Sequence, residues 1–187
     1  AGPRDNYLWI HIPIGYAKTM FHPVYNYGYY TEPDPNMNGR KIYWPRGRGL
    51  GGSSSINGLI YIRGQAADYD RWNDAGNIGW SWQEVLPYFI KSEHNSDARL
   101  VANGSHGQGG PLWGTTIPEP HPLMDAIAAA GEELGVPRSI DFNGGNQEGV
   151  GYYQLFTRNG WRCSTAVAYL RPAQKRKNLR TEVNAQV

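Results

Sequence analysis

Cysteine is almost missing from this chain. Cys163 stands alone, so no intrachain disulfide can form and the redox compartment is not fixed by it. Its place beside Ser164, at an expected helix start, could favour a thiolate, but a small structural residue is the plainer role. Charge of one sign is not in excess either: 18 basic and 16 acidic residues leave a net charge of +2. That balance argues against nucleic acid and against an acidic substrate. The local basic group Arg171, Lys175, Arg176, Lys177 and Arg180 reads as a solvated helix C-terminus. No apolar run approaches the roughly 18 residues that span a bilayer, and no signal peptide is visible. A cytoplasmic location is the expectation, with peripheral membrane association left open.

Metal and triad spacings are also lacking. His11, His22, His94, His106 and His121 show no HxxxH pattern, and Cys163 has no CxxC partner, so a zinc site is not expected. Ser53-Ser54-Ser55 lacks the GxSxG elbow of a serine nucleophile. Asp68 and Asp70 fall on different faces of a helix, which suits helix N-terminal charge rather than paired acid–base work.

What the chain has is glycine and aromatics: 24 Gly, 13 Tyr and 7 Trp, with 13 Pro. This composition implies a loop-rich protein of many turns rather than a helical bundle, and the order of elements that follows reads as an α+β fold. Tyr25 to Tyr43 reads as a hairpin turning at Asn38-Gly39. Ser81-Trp-Gln-Glu84 is a capping box that starts a helix at about residue 82. Residues 94–118 have no periodicity and read as a long surface loop. A helix begins at Pro122, carries Leu123, Ala126, Ile127, Ala130 and Leu134, and stops at Gly135. Residues 150–156 alternate like a strand, Asn159-Gly160 turns, Ser164 and Thr165 cap a helix to about Leu170, and residues 178–187 read as a closing strand.

Residues 47–70 carry the strongest signal. Four glycines lead into Ser53-Ser54-Ser55 and Asn57, which bares the backbone so that a large, flat or anionic ligand can lie against it. Gly47-x-Gly49-x-x-Gly52, with Asp70 downstream, formally satisfies a dinucleotide fingerprint. Its context does not fit. Pro45 is unwelcome in a central strand, and no second parallel strand follows at the right distance. The block instead reads as a glycine-rich turn opening a helix near Ser53. An isoalloxazine ring needs amide donors and an edge free of bulky side chains, which Gly52, Ser53, Asn57 and Gly58 could provide.

The block resembles the first signature of the glucose–methanol–choline (GMC) family of flavin oxidoreductases. The resemblance continues through Asp68–Trp72, Gly79–Phe89, Asp141–Gly144, Gln147–Tyr153 and Cys163–Pro172. It implies an FAD-dependent enzyme of the choline-dehydrogenase-like group. Such an enzyme oxidises a small-molecule primary alcohol by hydride transfer to flavin N5. By resemblance, Ser53, Asn57, Gly58 and Ile60 match positions that touch FAD, and Val187 matches a strand residue whose backbone meets the adenine. Some relatives carry a flavin-bonded histidine where Ile56 stands, and isoleucine cannot form that bond, so the FAD is expected to be non-covalent.

The resemblance also implies absences. The family's phosphate-binding GxGxxG and ribose-binding acid would precede Ala1, and its proton-accepting histidine would follow Val187. No catalytic residue is therefore assigned, and the chain is expected to be an internal fragment, inactive alone. His11 or His22 could line a substrate side, though surface or capping roles are the plainer reading. Three parts are expected: an FAD-binding side at 1–90, a substrate-side portion at 91–177, and the strand 178–187 returning to an incomplete sheet. That open edge would favour a homo-oligomer or pairing with the missing segments. The competing readings are a non-catalytic structural or binding piece and, more weakly, an NAD(P)-binding domain built on Gly47–Gly52.

Overall fold

In the computed structural model, which describes residues 2–185, helices and short paired strands mix in an α+β fold. The chain divides into two compact units, Ala1–Leu59 with Thr157–Val187, and Ile60–Phe156. These boundaries differ from the expected division at residues 90 and 177. Residues 60–90 pack with 91–156 because Ile60–Tyr61 pairs antiparallel with Gln154–Leu155.

The first unit starts with short helical turns at Leu8–His11, Pro13–Gly15 and Tyr16–Thr19. The expected hairpin follows. Tyr29–Tyr30 pairs antiparallel with Tyr43–Trp44, and the ladder is extended by Asn26 opposite Gly47 and Asp34 opposite Arg40. Asn38 and Gly39 take φ of 55° and 70°, as a turn of this hand requires. The preceding antiparallel strand also removes the dinucleotide-fingerprint reading of Gly47–Gly52, which needs a parallel βαβ unit. Ile10, Tyr25 and Ile56 form the apolar core, with Tyr7 packed against it.

A second hairpin, Thr157–Arg158 with Trp161–Arg162, turns at Asn159 (φ 51°) and Gly160 (φ 78°). The helix after it is wound as a π-turn over Ala166–Leu170 before an α-helical turn at Arg171–Ala173. The described part of the expected closing strand is not a strand. Residues 178–185 pair with no neighbour along their length, and the Asn184 amide donates to the Gly2 carbonyl at 2.9 Å. Val187 lies outside the described residues.

In the second unit, helices span Ala66–Asp74, Trp82–Ser92 and Pro122–Glu133. The capping box forms as the sequence implies: Glu84 Oε2 accepts from the Ser81 amide at 3.2 Å and its hydroxyl at 2.6 Å. Asp70 accepts the next orphan donor, the Trp82 amide, at 2.9 Å, while Asp68 accepts from the Gln65 amide. The long-loop reading of 94–118 is corrected. Glu93–Asn95 pairs parallel with Leu112–Gly114, and Ala98–Ala102 is helical between them. No helix among the described residues is long and apolar enough to cross a membrane.

Candidate functional site

The glycine block folds as one tight turn, shorter than the expected helix. Gly52–Ser55 makes a single 3-10 turn, the chain leaves it at Ile56, and Ile60–Tyr61 is already a strand. Backbone crowding sets this geometry. A Cβ on Gly47 would lie 2.1 Å from the Gly52 carbonyl oxygen, and Gly51 takes φ of 85° with Ser55 Oγ against it. Ser53 Oγ accepts the Gly47 amide at 3.0 Å, and Ser55 Oγ donates to the Leu50 carbonyl at 2.8 Å. Thr165 braces the turn from the other side: its amide donates to Ser54 Oγ at 3.0 Å and its hydroxyl to the Gly51 carbonyl at 3.2 Å.

Side chains then sort by face. Ser55, Ile56 and Leu59 are buried, whereas Ser53, Asn57 and Gly58 are exposed and Gly52 is half-exposed. Ile56 is 3% exposed and packs with Ile10 and Tyr25. Nothing lies within 4 Å of where a Cβ on Gly52 or Gly58 would stand. Gly52 has φ of 54°, which favours glycine; Gly58 does not lie in the left-handed region, so no packing or backbone contact demands glycine there. Leu59 does hold a positive φ of 65°, unusual for a buried leucine, and its amide donates to Asn57 Oδ1 at 3.2 Å. The structure therefore brings Gly52, Ser53, Asn57 and Gly58 together on one outward rim. Ile60 is exposed and belongs to the second unit.

Beside this rim, a cavity of about 160 Å³ is lined by residues that include Arg4, Leu50, Ala166 and Gln174, with the Asp5–Arg171 ion pair (2.8 Å) in its wall. His11 and His22 are held by local backbone contacts: His11 Nε2 lies 2.6 Å from the Asp5 carbonyl, and His22 Nδ1 accepts the Val24 amide at 3.1 Å.

The second unit holds a buried polar network that sequence reading missed. Arg63 Nη2 donates to Glu93 Oε2 at 2.6 Å, His106 Nδ1 meets Glu93 Oε1 at 2.7 Å, and His106 Nε2 meets Asp141 Oδ2 at 3.0 Å. Asn95 and Gln154 exchange amide hydrogen bonds at 3.1 Å, and Asn143 Oδ1 accepts the Arg63 amide at 2.7 Å. Burial alone would depress the His106 pKa, but its hydrogen bonds to Asp141 and Glu93 outweigh that and raise it from 6.5 to about 9. Burial pushes Glu93 and Asp141 upward, and His106 with neighbouring donors carries both below their ordinary values. His106 is thus an imidazolium at neutral pH, donating from both nitrogens. Asn95 Nδ2, 2.9 Å from His106 Nδ1, then spends its hydrogens on Glu93 and Gln154 instead. No local signal marked this pairing: Arg63 follows the apolar run Ile60-Tyr61-Ile62, and its partner Glu93 lies thirty residues away. No cluster of His, Cys, Asp and Glu among the described residues is arranged to hold a metal ion.

The chain is 43% identical to mitochondrial choline dehydrogenase of Mus musculus over 194 residues, covering all of this chain and 32% of that protein. It therefore spans about a third of the length of the curated relatives it matches. Pyridoxine 4-oxidase from Mesorbium loti superposes with a TM-score of 0.89 at 36% identity, over 96% of this chain and 35% of that one. An FAD-dependent oxidoreductase from Chaetomium thermophilum does so at 0.79 and 30%, over 93% and 32%. Residues 15–187 match the family described as GMC oxidoreductase, and the chain belongs to that family.

Proposed function

We propose that this chain forms part of the flavin site of a longer FAD-dependent oxidoreductase that oxidises a small-molecule primary alcohol, choline-like or other. The observation that carries this reading is the outward rim of Gly52, Ser53, Asn57 and Gly58. Its residues are exposed or half-exposed, and Gly58 has no atom within 4 Å of where a Cβ would stand. These residues fit FAD: two glycines leave room for a flat ring edge, and Asn57 and the Ser53 hydroxyl offer polar contacts. FAD, when bound, supplies the hydride acceptor. The chain's own residues bind and orient it, and Ile56, turned into the core and lacking a nucleophile, leaves it non-covalently held. Val187 and Ile60 are proposed as further contacts on the strength of the resemblance alone. The relatives named choline dehydrogenase and pyridoxine 4-oxidase act on hydroxyl-bearing substrates by their names, which supports an alcohol donor.

The test compares the full-length protein with residues 1–187, each purified and supplied with FAD, a panel of primary alcohols and an artificial electron acceptor. The full-length protein is expected to retain FAD, released intact by denaturation, and to turn over. Residues 1–187 are expected to be inactive, because by the resemblance the proton-accepting histidine is not among them and such a base contributes about 10²–10⁴-fold. A full-length protein that takes up no flavin overturns the reading.

A further inference from the structure

Arg162 is 2% exposed and lies behind the glycine rim. Its Nε donates to the Ile10 carbonyl at 2.7 Å, and its Nη1 donates to the Ser54 carbonyl at 3.2 Å and to Asn57 Oδ1 at 2.8 Å. All three acceptors are neutral oxygens. Its Nη2 is buried and has no hydrogen-bond partner among the described residues. A guanidinium buried without a carboxylate is costly, and a structural role alone would be served by a neutral donor. Burial does lower its pKa, to about 10, so the charge is still present at neutral pH.

The consequence falls on Asn57. Its Oδ1 accepts from two groups that can only donate, Arg162 Nη1 and the Leu59 amide. That settles which end of the amide is oxygen and uses both its lone pairs. The Asn57 Nδ2 is left as a pair of donors on an exposed side chain, next to the open space at Gly58. We infer that Arg162 is a positioning residue for the flavin site, locking Asn57 with its amide nitrogen outward as a hydrogen-bond donor to the ring's acceptor edge. This rests on the flavin reading above.

The experiment uses the full-length protein reconstituted with FAD, and its first step is uptake by the unaltered protein; failure there removes the flavin reading itself. Arg162→Met is then expected to weaken FAD binding by about tenfold or more and to shift the visible flavin band, since a charge-assisted hydrogen bond is lost. Arg162→Lys keeps the charge without the planar fork and is expected to recover part of both changes. Asn57→Ala should also weaken binding, and adding Arg162→Met to it should cost little more, because both act through one contact. Should Arg162→Met not fold, the Lys variant with its Asn57→Ala partner carries the comparison. Wild-type affinity and band position in the folded Arg162 variant overturn the inference, as does full additivity with Asn57→Ala.

Discussion

Two stretches of this chain look alike in composition and are opposite in use. Residues 51–58 and the segments that meet around Glu93 and His106 are both polar, glycine-bearing and without hydrophobic periodicity. Around Glu93 the polar groups turn inward: Arg63, Glu93, Asn95 and His106 are all buried, and each has partners within the second unit. Glycine there makes room for the protein's own backbone, since a Cβ on Gly107 would lie 1.9 Å from the Ile90 carbonyl oxygen. On the rim at 52–58 the polar groups turn outward, and the space beside Gly58 is unclaimed. A glycine that its own fold explains is architecture; one that it leaves unexplained points to a ligand.

The strongest way to break that contrast is to unpair the buried network. Glu93→Ala removes the shared partner of Arg63 and His106 and leaves two cations buried. We expect a loss of about 3–5 kcal/mol, read by urea unfolding. A variant that unfolds with the wild-type midpoint would show that the network contributes nothing. Titration probes the same cluster without mutation. The His106 pKa is raised from 6.5 to about 9, so its stabilisation is complete below about pH 6.5 and is lost as pH rises through 9. That shift corresponds to about 3 kcal/mol, counted once for the shared contacts with Glu93 and Asp141. Both carboxylates are depressed, so their contribution is present above about pH 4 and fails as pH falls through their folded values. Stability should peak between about pH 5 and 6.5, and His106→Gln should flatten the alkaline limb. An unchanged alkaline limb in that variant would remove His106 as the titrating group.

Local signals with a mechanism were legible in the sequence, and long-range polar pairing was not. Asn38-Gly39, Asn159-Gly160, the Ser81–Glu84 box and Pro122 act within a few residues, and the structure has each of them. The exposed, glycine-bearing turn at 52–58 leaves a local trace of bared backbone in the sequence, and its contact with FAD is a proposal. Residues 94–118 were misread because Asn95, Ser105 and His106 carry no apolar period; their partners Gln154, Arg63 and Asp141 lie tens of residues away. The helix expected from Ser53 stopped after one turn because Asn57 bonds the Leu59 amide and Leu59 goes left-handed. The strand expected at 178–187 is absent over its described part, 178–185, for another reason: a strand forms only where a neighbour pairs with it.

A smaller effect sharpens the line between the two kinds of glycine. Gly47→Ala places a methyl 2.1 Å from the Gly52 carbonyl oxygen and 2.6 Å from the Ser53 amide nitrogen, both backbone atoms. Backbone must move, at about 1–3 kcal/mol of stability. Flavin retention should fall in step, since the displaced turn is the one that carries the rim. Gly47→Ala with wild-type melting and wild-type flavin content would mean that the turn does not hold the rim in place.

The smallest expected effect on stability is at Gly58, and it is the most telling. The residue is exposed, lies outside the left-handed region and has no atom within 4 Å of where a Cβ would stand. Gly58→Val should therefore leave the unfolding midpoint within about 0.5 kcal/mol of wild type. A branched side chain in that space would nevertheless stand where a flat ring must approach the backbone. We expect FAD affinity to drop by about tenfold, equivalent to about 1.4 kcal/mol, measured by fluorescence titration of the full-length apoprotein. Gly58→Ala, which adds one methyl instead of three carbons, should fall between. Loss of stability without loss of affinity would turn Gly58 into architecture, and the rim would no longer be distinguished from the buried network by what its glycines leave open.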